Sequence, residues 1–188
     1  SDILLIQKRL GELNFKKGPE IWIMAETPKC VLNLGKILEE CSSITGIVVG
    51  TNDLAKELVL PSQEARVGLS YALGSIVLTA KAYNVITLDG VFNSISDQEG
   101  LLAEAREGKN LGYDGKTLIH PNQIDTTNTV FAPTEKEIEM ASKIIEAYEK
   151  AKEEKSGVTT VDGVLVEELH VKQSLALMNK MKMIQDMG

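Results

Sequence analysis

Apolar positions along this chain fall into two alternating kinds of segment. Short, nearly continuous apolar runs occur at Ile21-Trp22-Ile23-Met24-Ala25, Gly46-Ile47-Val48-Val49, Val85-Ile86-Thr87-Leu88 and, more briefly, Thr117-Leu118-Ile119. Runs of this kind, rich in β-branched residues, predict strands buried on both faces, as in a parallel sheet. Between them the apolar positions recur at helical spacing, which predicts helices over about 2–14, 30–41, 62–83, 98–111 and 134–152. Leu69, Leu73, Ile76, Val77 and Ala80 form the core-facing stripe of the longest of the inner helices. Gly112 marks a left-handed helix stop, and Thr134-Glu135-Lys136-Glu137 reads as a capping box.

Buried parallel strands joined by helices define an α/β fold, either an open doubly wound sheet or part of a (β/α)8 barrel. The pattern changes after residue 152. Lys152 to Gly157 reads as a solvated linker, and Asp162-Gly163 as the two-residue turn of a hairpin between Val158–Val161 and Val164–Val166. A last helix carries Val171, Leu175, Leu177, Met178, Met181 and Ile184. Two domains are therefore expected: a barrel-type segment over 1–152, and an extension over 153–188 that is too short for a core of its own and must pack on the main body or a neighbouring subunit.

In parallel α/β folds ligands bind where strands end, so the residues just past each apolar run carry the chemical information. They are polar: Glu26-Thr27-Pro28, Gly50-Thr51-Asn52-Asp53, Asp89-Gly90 and His120-Pro121-Asn122-Gln123. Four strand ends are thus expected to deliver Glu26, Asp53, Asp89 and His120 to one rim. Glu26 and Asp53, on adjacent strand ends, suit a hard divalent ion such as Mg2+, which takes one or two carboxylates and fills its other positions with water and substrate oxygens. The competing reading is that each acid caps the helix that follows it. His120 reads either as a structural corner or as an acid or base, and Asp89-Gly90 equally well as a turn.

Composition narrows the classes. The chain has 188 residues with 20 Lys+Arg against 27 Asp+Glu, a net charge of -7, so no cationic footprint for nucleic acid or an anionic membrane exists. Neither a P-loop nor a G-x-S-x-G or G-x-G-x-x-G motif is found. Cys30 and Cys41 read as reduced thiols, and no segment approaches the ~18 apolar residues of a membrane span. A cytoplasmic protein is expected, with the mitochondrial matrix the other compatible compartment.

Taken together, Met24-Ala25-Glu26-Thr27-Pro28, Gly50-Thr51-Asn52-Asp53-Leu54, Leu88-Asp89-Gly90-Val91, Gly112-Tyr113-Asp114-Gly115-Lys116 with Ile119-His120-Pro121-Asn122-Gln123, and Asp162-Gly163-Val164-Leu165-Val166 resemble the citrate lyase beta subunit family. That family includes malyl-CoA and citramalyl-CoA lyases, within the HpcH/HpaI-type aldolases. The resemblance covers the family's second half, from the helix before the fifth barrel strand to the end, so a fragment of a longer protein or a half-barrel completed by another chain is expected. It implies a TIM barrel with Mg2+ held by Glu26 and Asp53. It also implies carbon–carbon cleavage or formation between an acyl-CoA enolate and a 2-oxo acid, with the substrate carboxylate held at the backbone of Gly50, Thr51 and Asn52.

Two departures from the family pattern stand out. The family's C-terminal motif places an aspartate, followed two residues later by proline, after the Asp-Gly turn; in related lyases this acid reaches a neighbouring subunit's site. Here Glu167 and Leu169 stand at those positions, with His170 following the pattern. Glu167 is therefore the candidate acid/base acting in trans, in a homo-oligomer expected to be a trimer or a multiple of one. The family's enolate-stabilising arginine belongs to the other half, and Arg66 and Arg106 are expected to be surface charges. A pyruvate-type class II aldolase and a non-catalytic half-barrel interaction subunit are the alternative readings.

Overall fold

The computed structural model describes residues 2–13, 19–61, 65–154 and 159–187. The chain divides into two compact units, Ser1–Phe131 and Ala132–Gly188.

The first unit runs α1 (Asp2–Glu12), β1 (Ile21–Ala25), α2 (Pro28–Glu40), β2 (Ile44–Val49), α3 (Thr51–Glu57), α4 (Ala65–Ala82), β3 (Ile86–Asp89), α5 (Gln98–Leu111), β4 (Gly115–Lys116), a 3-10 turn (Pro121–Gln123) and α6 (Ile124–Phe131). The four strands form one parallel sheet in sequential order, with Ala25 opposite Val49, Val48 opposite Leu88 and Asp89 opposite Lys116. Ala25, Ile47 and Val49 pack with Val31, Leu34 and Leu38 of α2 and with the expected stripe of α4, Leu69, Leu73, Ile76, Val77 and Ala80, all buried. Gly112 ends α5 with φ 101°, as its sequence position implies.

Two sequence expectations change. Trp22 (41% exposed), Met24 (54%) and Ile86 (48%) lie open, so β1 and β3 bury one face and not two. Side chains alternate across a strand, and among the described residues only one side of the sheet carries helices. The fourth strand is Gly115–Lys116, not the apolar triplet after it. Asp114 donates its amide to Thr87 O (2.9 Å) and accepts the Thr87 N–H on its carboxylate (2.9 Å), which fixes the register. Both the amide (3.0 Å) and the hydroxyl (2.9 Å) of Thr117 then bond Asp89 O, turning the chain out of the ladder. Gly115 suits this place because a Cβ there would stand 2.9 Å from Leu88 Cδ2.

The second unit holds α7 (Glu135–Glu153), the antiparallel pair β5 (Thr159–Val161) and β6 (Val164–Val166), and α8 (Glu168–Met187). The division falls after Phe131, so α7, placed by sequence with the strands, groups with the hairpin and α8. Thr134 and Glu137 form the expected capping box, with Thr134 N–H donating to Glu137 Oε2 at 2.7 Å and Glu137 N–H to Thr134 Oγ1 at 3.2 Å. Asp162 (φ 49°) and Gly163 (φ 80°) supply the two left-handed residues that a tight hairpin turn requires. Half of the expected linker, residues 155–157, and Val158 lie outside the described residues.

Candidate metal and substrate site

The C-terminal ends of β1 and β2 carry the two candidate metal ligands, and the structure separates them from helix capping. Thr27, not Glu26, caps α2: its Oγ1 accepts the Cys30 N–H at 3.1 Å. Gly50 caps α3 without a side-chain bond, and Asp53 lies inside that helix's first turn. Among the described residues no hydrogen bond or ion pair engages either carboxylate. Glu26 is half-buried and Asp53 exposed.

Gly50 is what lets Glu26 sit there. A Cβ on Gly50 would stand 2.4 Å from Glu26 Cβ and 2.8 Å from its Oε2, so the carboxylate occupies the space a side chain would fill. The Cys30 thiol reports the same neighbourhood, since burial and then the Glu26 charge push its pKa up. Thr51 closes the floor against the next strand end, its Oγ1 within 2.4 Å of where a Gly90 Cβ would be.

The residue types suit Mg2+. Two carboxylates give hard oxygen donors and leave the other octahedral positions to water and substrate oxygens. No group of three or more His, Cys, Asp and Glu side chains able to hold an ion occurs among the described residues.

Gly50, Thr51 and Asn52, the trio expected to hold a substrate carboxylate, follow β2 directly and differ in their bonding. Gly50 N–H is committed to Ala25 O at 3.0 Å in the β1–β2 ladder. Thr51 and Asn52 open α3, where main-chain N–H groups have no intrahelical acceptor. The Asn52 side chain is exchanged with Asn93, each amide nitrogen donating to the other's oxygen at 3.1 and 2.7 Å.

Asp89 and His120 do not join the rim as ligands. Asp89 turns into the helix layer, its side chain fully buried, and Arg66, expected as a surface charge, grips it with a side chain only 18% exposed. Burial alone works against the Arg66 charge, but Asp89, Glu107 and Glu104 more than offset it and raise its pKa above the ordinary arginine value. His120 is the structural corner: its Nδ1 accepts the Asn122 N–H at 3.1 Å to start the 3-10 turn. Sequence reasoning missed two buried polar residues nearby. Lys116 bonds Gly90 O at 2.6 Å, and Gln123 Nε2 donates to Phe92 O at 2.9 Å while its Oε1 accepts from Ile119 N–H at 3.1 Å. Together they hold the loop that follows β3.

The family model for HpcH/HpaI aldolase/citrate lyase matches residues 11–121, a stretch that includes all four strand ends. The chain belongs to this family. Among curated proteins it is 44% identical over 159 residues to a (3S)-malyl-CoA thioesterase of Cereibacter sphaeroides, covering 83% of this chain and 55% of that one. Among solved structures, a citrate lyase from Burkholderia xenovorans shares the fold with a TM-score of 0.78 at 18% identity, covering 97% of this chain and 59% of that one. A citrate lyase beta subunit from Mycobacterium tuberculosis, complexed with oxaloacetate and magnesium, matches with a TM-score of 0.57 at 27% identity, covering 67% of this chain and 57% of that one. The chain thus spans about half the length of the curated relatives it matches. Within the HpcH/HpaI family, the matched residues include Glu26, Gly50, Thr51, Asn52 and Asp53 of the first unit. Glu167 lies in the second unit, where it is exposed. No helix among the described residues is long and apolar enough to cross a membrane.

Proposed function

We propose that this chain forms the second half of a (β/α)8 barrel of an Mg2+-dependent acyl-CoA carbon–carbon lyase, acting on a citryl-, malyl- or citramalyl-CoA type of substrate. The observation that carries the reading is the pair Glu26 and Asp53. Both acids stand beside capped helix starts without serving as caps, and both lack a protein partner among the described residues. Glu26 and Asp53 would hold the ion, which when bound supplies a Lewis acid for the 2-oxo acid carbonyl.

The chain's own groups do the rest. Thr51 and Asn52 offer main-chain N–H groups to the substrate carboxylate, and Gly50, by lacking a side chain, leaves room for the Glu26 carboxylate. In the cleavage direction a base takes the hydroxyl proton, the bond between the carbinol carbon and the thioester's α-carbon breaks, and its electron pair passes to the thioester as an enolate. An acid then delivers a proton to that α-carbon, releasing an acyl-CoA and a 2-oxo acid. Glu167 is the candidate for this proton traffic, contributed by the extension over 153–188 to a neighbouring copy in a homo-oligomer, a trimer or a multiple of one.

Calorimetric titration of the assembled protein with Mg2+ tests the core of this reading. Binding that Asp53→Ala abolishes and Glu26→Gln weakens is expected, and unchanged affinity in both variants refutes it. A second reading is thioester hydrolysis, favoured by the 44% identity to a (3S)-malyl-CoA thioesterase. Product analysis on malyl-CoA separates the two: acetyl-CoA with glyoxylate marks the lyase, and free CoA with malate marks the hydrolase.

A further inference from the structure

We infer that His170 is the positioning residue for Glu167, holding the main chain on both sides of that acid through a neutral imidazole; this rests on the reading of Glu167 as the proton-transfer group. Glu167 immediately precedes α8, where its N–H would otherwise lack an acceptor. His170 Nδ1 accepts that N–H at 3.0 Å. In return the His170 and Val171 amides donate to Glu167 O at 3.0 and 3.3 Å. The imidazole supplies one half of a capping box, the first-turn side chain that reaches back to the N-cap amide, in place of the usual Glu or Gln, while the bonds to Glu167 O are the ordinary first bonds of the helix. Both main-chain groups of Glu167 are therefore fixed. Its carboxylate is not: it is exposed, and among the described residues no hydrogen bond or ion pair takes it.

The geometry dictates a protonation state. A main-chain N–H can only donate, so Nδ1 carries no proton and neutral His170 holds its proton on Nε2. A glutamate or glutamine in this place would cap at neutral and mildly acid pH alike, whereas the imidazole caps only while neutral. Acid must therefore loosen the first turn of α8 and the root of Glu167 together. The charged groups facing His170 are Lys136 and Glu137 of α7, which line a cleft of about 330 Å3 with it, and on its own element Glu167 and Glu168, the latter paired with Lys172 at 3.0 Å. His120 caps Asn122 by the same Nδ1 contact at a corner with no candidate acid/base, which makes it an internal control.

The test uses the assembled protein with Mg2+. Nitrogen-15 spectra of the ring should show the Nε2–H tautomer for His170, and protection of the Glu167 amide against exchange, measured relative to the unstructured chain at each pH, should be high while the ring is neutral and fall as it is protonated. His170→Ala should lower kcat about tenfold with KM little changed, since a small misplacement of a proton-transfer group is costly. His170→Gln, which retains a side-chain acceptor for the Glu167 amide, should restore most of the turnover. A protonated Nδ1 in the neutral ring overturns the inference. So does a His170→Ala protein of wild-type kcat when Glu167→Gln is inactive, or a His170→Gln protein as impaired as His170→Ala. If Glu167→Gln retains full turnover, the reading of Glu167 as the proton-transfer group fails and the positioning role falls with it, while the ring spectra and amide exchange still decide separately whether the cap exists.

Discussion

Arg66 grips Asp89 with both terminal nitrogens, Nη1 to Oδ1 at 3.2 Å and Nη2 to Oδ2 at 3.0 Å, behind the end of β3. Lys116 completes the cluster from β4, its fully buried ammonium 3.2 Å from Asp89 Oδ2, 2.6 Å from Glu104 Oε1 and 2.6 Å from Gly90 O. Asp89 Oδ1 also accepts the Gly90 N–H at 2.8 Å. The network thus clamps the peptide of Gly90, the residue whose missing side chain makes room for Thr51 on the floor of the candidate site.

A buried ion pair adds little over a well-packed apolar replacement, but removing one partner strands the other. Asp89→Ala removes the one fully buried acid of the cluster and leaves Arg66 and Lys116 to share Glu104, with Glu107 on Arg66. It should cost about 3–5 kcal/mol in urea unfolding. A loss below about 1 kcal/mol, no more than an exposed pair contributes, would show that water reaches the cluster.

Why this cluster was illegible in the sequence follows from strand geometry. An acid just past an apolar run looks the same whether it faces the ligand side or the helix layer. The deciding partners, Arg66 and Lys116, lie 23 and 27 positions away from Asp89 in the chain. The elements themselves were legible where local chemistry fixes them: the apolar runs of β1, β2 and β3, α5 with its Gly112 stop, and the Thr134 capping box. The fourth strand was not, because Asp114 and Thr117 set its register through bonds to Thr87 and Asp89 of β3. Glu26 and Asp53 were readable as a pair, but freeing them from the capping alternative required the observed caps at Thr27 and Gly50.

Tyr113 carries an alkaline signature. Its hydroxyl donates to Leu73 O at 3.1 Å, and burial, followed by the Asp89 charge, pushes its pKa well above the usual 10, with Arg66 pulling the other way. The folded state therefore favours the neutral phenol. Stability from this group is complete below pH ~10, where the unfolded tyrosine titrates, and is lost as pH climbs through the folded value. Tyr113→Phe should cost about 1 kcal/mol at pH 8 by removing the hydrogen bond, and should flatten the fall in urea midpoint between pH 10 and 11.5, leaving the slope of the remaining groups. An identical slope in the variant would refute the assignment.

The single tryptophan offers a fold reporter. Trp22 lies on the open face of β1 with its indole across Gly46, where an added Cβ would stand 2.1 Å from Cδ2. Gly46→Ala should displace the ring outward, shift its emission to the red and cost about 1–3 kcal/mol, the range for forcing an extra methyl into a packed contact. Emission unchanged from the parent would mean that the indole does not rest on β2.

Cys30 tests the placement of Glu26 without any metal. Burial and then the Glu26 charge both raise the Cys30 pKa, so at pH 8 the thiol holds less thiolate than a free cysteine and alkylates slowly, because thiolate is the attacking species. Glu26→Gln keeps the shape and removes the charge. The second cause disappears, the pKa falls, and the iodoacetamide rate–pH curve should move to lower pH with faster labelling at pH 8. Cys41 is 2% exposed in the core and should stay silent, a point that Cys30→Ser verifies by abolishing the label. A curve that does not move would put the Glu26 carboxylate away from the start of α2, and with it away from the space above Gly50 where an ion would be held.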